Sequence, residues 1–272
     1  MPEIKRILPE HTDHGISHIE KVLDNAGNLL GDEVEKLSGI DLYCLILSIL
    51  FHDVGNIFGR RNHQHNVEEI YKFVRPGILW KPDENNIILE AAAAHCGEAT
   101  DGTKDTLKEI PESGHMDGKP VKLREIAAIL RFADELAEGP QRTSRFMQQQ
   151  HKYRASSKIF HKYVQATNIC IDRGNQRIVA TYNILFEIGR NGNLTKKSKK
   201  GISDLLNFIY KRIIKLNQER QYARHYCNLL SPFKKTSVAF NFYADKKNLN
   251  LDLDEVDLTD LVFRRNPTGV NP

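Results

Sequence analysis

Leu42–Gly55, LYCLILSILFHDVG, is the stretch on which the reading of this chain turns. Ten mostly apolar residues run into an adjacent His52-Asp53 pair, followed by Val54, Gly55 and Asn56. A run apolar on nearly all sides reads as a helix buried in the middle of a domain, and less well as a strand. It is too short to cross a bilayer. An ionisable pair at its end is costly to bury unless something compensates it, and a bound metal ion is the strongest common compensation. Gly55 is read as the helix stop.

Working outward, His18 lies upstream in a helix whose apolar residues Ile19, Val22, Leu23, Ala26, Leu29 and Leu30 keep helical spacing. Ser17 with Glu20 fits a capping box for it. His14 competes with His18 for the same role. Gly39 and Asp41 start the central helix. Downstream, Arg60 and Arg61 precede His63, and Val67, Ile70, Tyr71 and Val74 form a helix stopped by Pro76. His63 is preferred as the residue that folds back over the pair, with His65 as its substitute. Pro82 and Asp83 open a helix through Ile87, Ile88, Ala91 and Ala92 to His95, and its alanines allow a close neighbour. Gly97 to Pro120 has no period and reads as a lid or an insertion. Lys104 and His115 are its residues most able to touch an anion. From Val121 a strong helix places Asp134 on its apolar face, where either Arg131 or a metal must balance it. Gly139 and Pro140 end that helix. Arg142 and Arg145 follow, suited either to phosphate or to solvent.

Of eleven histidines, eight fall at or before His115, on the side where the His-Asp pair lies. The order His18, His52-Asp53, His63, His95, Asp134 resembles the HD superfamily of metal-dependent phosphohydrolases, over Thr12 to about Arg145. The resemblance implies a mainly α fold, a helical bundle followed here by a smaller α+β region. It implies that His18, His52, Asp53 and Asp134 hold one ion and that His63 and His95 add a second, with Asp53 bridging. Imidazole and carboxylate donors suit divalent transition metals such as Mn, Fe, Co, Ni or Zn. The implied chemistry is attack on phosphorus by a metal-activated hydroxide, with Asp53 at its centre. Many HD hydrolases carry lysine where this chain has Asn56, which can bind a phosphate or water but adds no charge. Arg60, Arg61 or a residue of the 97–120 segment would supply that charge. The implied substrate is a phosphoester or phosphoanhydride of a small nucleotide-type molecule. Two further readings are a metal-dependent nuclease, with Lys196–Lys200 guiding a strand, and an inactive HD module that senses nucleotides or binds a partner.

Residues 1–150 are expected to form the helical domain and 151–272 an α+β region of unassigned role. In the latter, QATNICIDRGNQRIVATYNILFEI reads as a β-hairpin with Gly174 in its turn. A basic run at Lys196–Lys200 leads into a long helix through Leu205, Ile209, Ile213, Leu216 and Tyr222, and SVAFNFYA reads as a further strand. Homo-oligomers could form through this half. The net charge of +4 over 272 residues does not by itself mark a nucleic-acid binder. Cys44, Cys96, Cys170 and Cys227 are scattered without C-x-x-C spacing, so neither a disulfide framework nor a structural zinc site is suggested. No apolar leader or run of eighteen apolar residues is seen, and a cytoplasmic setting without membrane association is expected.

Overall fold

A computed structural model of the chain describes residues 15–59, 62–74, 82–143, 155–189, 194–244, 247–249 and 256–259. The helices are α1 (Ile16–Leu30), α2 (Gly39–Phe51), α3 (Val67–Val74), α4 (Pro82–Ala94), α5 (Leu123–Glu135), α6 (Ala155–Ala166) and α7 (Lys196–Tyr226). The strands are β1 (Gly114–Met116), β2 (Lys119–Val121), β3 (Thr167–Asp172), β4 (Arg177–Phe186), β5 (Lys235–Ala244), β6 (Lys247–Leu249) and β7 (Val256–Thr259). The expected fold class holds: a mainly helical body followed by a smaller β-containing region.

Helix α2 starts where Ser38 and Asp41 cap each other. The Asp41 backbone N–H donates to Ser38 Oγ at 3.1 Å, and the Ser38 backbone N–H donates to Asp41 Oδ2 at 2.9 Å. Asp41 Oδ1 also accepts from the Lys122 backbone N–H at 2.8 Å, which ties the start of α2 to the entry of α5. The helix buries Cys44, Leu45, Ser48 and Ile49 but turns Tyr43, Ile46 and Leu50 outward, so it is not apolar-buried all round. By length and hydropathy alone Gly39–Phe58, 20 residues, would suffice to cross a membrane, which the shorter reading above had set aside. The α-helix within it ends at Phe51, however, and 56% of the window is buried inside the fold. At about 1.5 Å per residue such a helix spans roughly 20 Å, against a hydrocarbon thickness of about 30 Å.

Three further expectations are corrected. The Ser17–Glu20 capping box does not form, because the Gly15 carbonyl already accepts from the His18 and Ile19 backbone N–H groups and Ser17 lies inside the helix. Gly55 does not stop α2, which ends at Phe51; it sits in the 3-10 turn Val54–Phe58. Nor is Gly97–Pro120 a loose lid. Leu107, Ile110 and Met116 are buried, the Leu107 backbone N–H donates to the Tyr222 hydroxyl at 2.9 Å, and β1 and β2 form a hairpin around Asp117-Gly118.

Helix α5 lies at the centre. Leu123, Ile126 to Ala133, Leu136 and Ala137 are all buried, and Asn25 of α1 donates to the Ala133 carbonyl at 3.0 Å. The second half packs directly on it. Strands β3 and β4 form the predicted antiparallel hairpin across Arg173–Gln176, and β5 then pairs parallel with β4, with α7 as the crossover that parallel pairing requires. Strands β6 and β7 pair antiparallel with β5. The basic run belongs to the first turns of α7, capped by Thr195, whose hydroxyl accepts from the Ser198 backbone N–H. One hydrophobic core runs from α1, α2 and α5 through Tyr163 and Val164 of α6 into the sheet and α7, crossing the boundary expected at residue 150.

Candidate metal centre

Four helix ends deliver the side chains. His18 enters from the first turn of α1, His52 and Asp53 follow α2 directly, His95 follows α4, and Asp134 comes from the last turn of α5. His52 is fully buried, and its Nδ1 lies 2.8 Å from the Ile49 carbonyl. His95 Nδ1 contacts the Ala92 carbonyl in the same way. In each case the carbonyl three residues back holds the Nδ1 proton and leaves the Nε2 lone pair pointing inward, the usual outer-shell arrangement of a ligating histidine.

Around Asp53 the distances divide into two sets. Asp53 Oδ2 lies 3.5 Å from His18 Nε2 and 3.4 Å from His52 Nε2, while Asp134 Oδ1 lies 3.1 Å from His18 Nε2 and 3.8 Å from His52 Nε2. Asp53 Oδ1 faces the other way, 3.1 Å from His63 Nε2 and 3.8 Å from His95 Nε2. His63 reaches this place because Asn62 adopts a left-handed conformation (φ 58°) and the chain doubles back over Gly55. A Cβ on Gly55 would lie 2.0 Å from the His63 carbonyl oxygen, so only glycine admits this approach. His65, two residues on, is exposed. His14 lies outside the described residues.

The donors fit a metal. Imidazole nitrogens and carboxylate oxygens from His18, His52 and Asp134, and from His52, Asp53 and His95, lie within 4.8 Å of one another in each group. His52 Nε2 has no hydrogen-bond partner among the described residues despite its burial, which is costly for a polar atom unless a ligand takes its lone pair. Without a cation, protons take that place. Burial works against the His52 imidazolium, yet Asp53 and Asp134 raise its pKa well above the ordinary range. Burial likewise opposes the charge on His63, but Asp53 and Cys96 raise it to about 10. Burial would raise Asp134, but His18 and His52 hold it well below the usual carboxylate range. An arriving cation must displace these protons.

The other candidates divide. Asn56 is buried, and its amide donates to the Asp53 carboxylate at 2.9 Å and to the Asp53 carbonyl at 3.0 Å, so it holds Asp53 rather than facing outward. Arg131 does not pair with Asp134: it forks onto Glu219 at 2.8 and 2.9 Å and donates to Thr106 at 2.8 Å, facing α7. Lys104 is exposed and held by Glu98 at 2.8 Å. His115 is exposed on β1, whose neighbours Gly114 and Met116 meet Ile87 and Cys44. Those contacts are about two helical turns, roughly 12 Å, from the ends of α2 and α4 that carry His52 and His95. Arg142 is buried, and its charge helps hold Glu138 in the carboxylate form. Arg60, Arg61 and Arg145 lie outside the described residues. Cys96 was missed. Its Sγ lies 3.7 Å from His63 Nε2, and burial, which would raise the thiol, is outweighed by His95 and His63, which bring it down to about 6. Its place directly after His95 was the available signal.

A helical bundle that converges imidazoles and carboxylates on one buried aspartate defines a metal-dependent hydrolase of the HD type. The chain belongs to the HD-CE family, which matches residues 8–215. That match continues past Arg145 through the hairpin and into α7, further than the resemblance read from the ligand order. Among curated proteins, none matches the chain.

Proposed function

We propose that the protein is a two-ion phosphohydrolase that cleaves a phosphoester or phosphoanhydride of a small nucleotide-type substrate. The carrying observation is the division of the Asp53 carboxylate, Oδ2 toward His18 and His52 and Oδ1 toward His63 and His95. In this reading His18, His52 and Asp134 complete a first ion position, His63 and His95 a second, and Asp53 belongs to both. Bound divalent ions supply the acidity that makes a water nucleophilic at neutral pH and the positive charge that a phosphoryl group needs.

The chain's own residues do the remainder. Asn56 fixes the Asp53 carboxylate, so that neither oxygen can rotate away from its set. The Ile49 and Ala92 carbonyls hold the two rings that end α2 and α4. The Asp134 side chain is 25% exposed, whereas those of His18 and His52 are sealed, so Asp134 is the member of this set that meets solvent. Arg60 and Arg61, just before His63 in the chain, are the nearest cations in sequence to offer a phosphate.

Elemental analysis of purified protein, followed by a nucleotide panel with released phosphate and pyrophosphate measured, tests the reading. A first-row metal should copurify, chelation should abolish hydrolysis, and adding Mn, Fe, Co, Ni or Zn should restore it. Full activity in metal-free protein overturns the metal role. A metal-loaded protein inert toward every nucleotide overturns the substrate class.

Gly55→Ala probes the second position alone. The added methyl meets the His63 carbonyl at 2.0 Å, so the 62–65 segment must move. We expect about 1–3 kcal/mol of destabilisation, the usual range for overpacking, and metal content falling from two ions toward one. Unchanged stoichiometry would mean that His63 is not needed to hold an ion.

A further inference from the structure

We propose that Cys96 Sγ is a ligand of the second ion position, which makes that position a mixed nitrogen, oxygen and sulfur site selective for zinc. The inference rests on the two-ion reading above and goes beyond it, because HD-type ligation by histidine and aspartate does not require a thiol. Three observations carry it. First, donor atoms of His63, His95 and Cys96 lie within 4.8 Å of one another, so the thiol is part of a three-residue cluster and not a solitary group.

Second, the spacing suits coordination. Zinc takes sulfur at about 2.3 Å and imidazole nitrogen at about 2.0 Å, which at a tetrahedral angle sets the two donors ~3.5 Å apart. Cys96 Sγ and His63 Nε2 are 3.7 Å apart, and Asp53 Oδ1 is 3.1 and 3.8 Å from His63 Nε2 and His95 Nε2.

Third, the two chain segments that carry these donors are seated on each other. Gly97 adopts φ +94°, and a Cβ there would lie 2.8 Å from the side-chain nitrogen of Gln64, so the residues following His63 and Cys96 interlock. The thiol is thereby held facing the His63 ring. Binding releases the thiol proton to solvent as the sulfur–metal bond forms. A thiolate favours zinc over manganese or magnesium, while the first position, built from His18, His52, Asp53 and Asp134 without sulfur, keeps no such preference.

Cobalt(II) substitution of the full-length protein tests this without any assay of activity. Metal-free wild-type protein and the Cys96→Ser and Cys96→Ala variants, checked for helicity by circular dichroism, are titrated to two equivalents. Wild type should develop a near-ultraviolet thiolate-to-cobalt charge-transfer band together with visible d–d bands. Both variants should lose the charge-transfer band and keep d–d absorption from the first position. Competition titrations should show zinc at the second position weakened by at least about tenfold, the lower end of what even an outer-shell partner is worth, and manganese much less affected. Cobalt bound by wild type with no charge-transfer band, or with a band that survives in Cys96→Ala, overturns the ligand role and leaves the two-ion reading standing. Failure of wild type to bind cobalt at all overturns both.

Discussion

Asp53→Ala empties both ion positions together and lowers hydrolysis by at least about a thousandfold. The expectation follows from the two carboxylate oxygens, each within 3.5 Å of an imidazole of its own set. Among the described residues it is the carboxylate that turns one oxygen toward each set. Losing the bound charge removes several kcal/mol of transition-state stabilisation, and about 4 kcal/mol is a factor of a thousand in rate. Helical content should persist, because Asp53 lies beyond the end of α2 at Phe51 and belongs to no α-helix. A second signature appears in metal-free protein. Asp53 and Cys96 raise His63 from its ordinary 6.5 to about 10. A raised folded pKa contributes stability that is fully present below the unfolded value and is lost as pH rises through the folded one. Wild-type metal-free protein should therefore lose the His63 contribution between about pH 6.5 and 10, offset up to about pH 9 by Cys96, whose thiol is lowered from 9.0 to about 6 and so gains stability as pH rises. Asp53→Ala should flatten that slope. A variant with two ions per chain would show that the centre lies elsewhere.

Glu219→Ala acts where α7 meets α5, on stability. The Arg131 guanidinium is almost wholly buried, forked onto Glu219 and stacked 4.4 Å from the Tyr222 ring centroid. Removing the carboxylate leaves that charge without its counterion, a change that destabilises by about 3–5 kcal/mol and lowers Tm by roughly 6 to 20 °C in a chain of this size. The paired replacement Arg131→Met with Glu219→Leu should recover most of the loss, since an apolar pair of similar volume is often as stable as a buried ion pair. Thermal unfolding in the presence of chelator measures both. A Glu219→Ala protein that melts within a degree of wild type would show that Arg131 finds another partner. Beside this fork, Arg212 bridges Glu135 and Glu138 at 3.0 and 2.6 Å, so α7 grips α5 on either side of Asp134.

The HD membership and helical fold were legible because ligation restricts residue type. His52 and Asp53 at the end of an apolar run have few structural alternatives, and the order of the other ligands compounds the signal. The misreadings have local causes. Ser17-x-x-Glu20 matches the capping pattern, but Gly15 supplies the first helical carbonyl, whereas Ser38-x-x-Asp41, with a shorter acid, forms the real box. Asp117-Gly118, both at positive φ, is a strong hairpin signal inside the segment taken for a lid. Arg131 stood as an alternative partner for Asp134 because its actual partner, Glu219, is 88 residues away in sequence, beyond any local rule. Cys96 escaped because cysteines were sought in pairs, although its place directly after His95 was there to be read.

The carbonyls of Ile49 and Ala92 give the centre its character. Each pins an imidazole through a bond made entirely within its own chain segment, so two rings are oriented as soon as their helices form. The rotational freedom of those side chains is surrendered during folding and not on capture of the ion. Unlike a zinc finger, which collapses around its metal, this bundle holds those two rings in place through contacts made by folding alone.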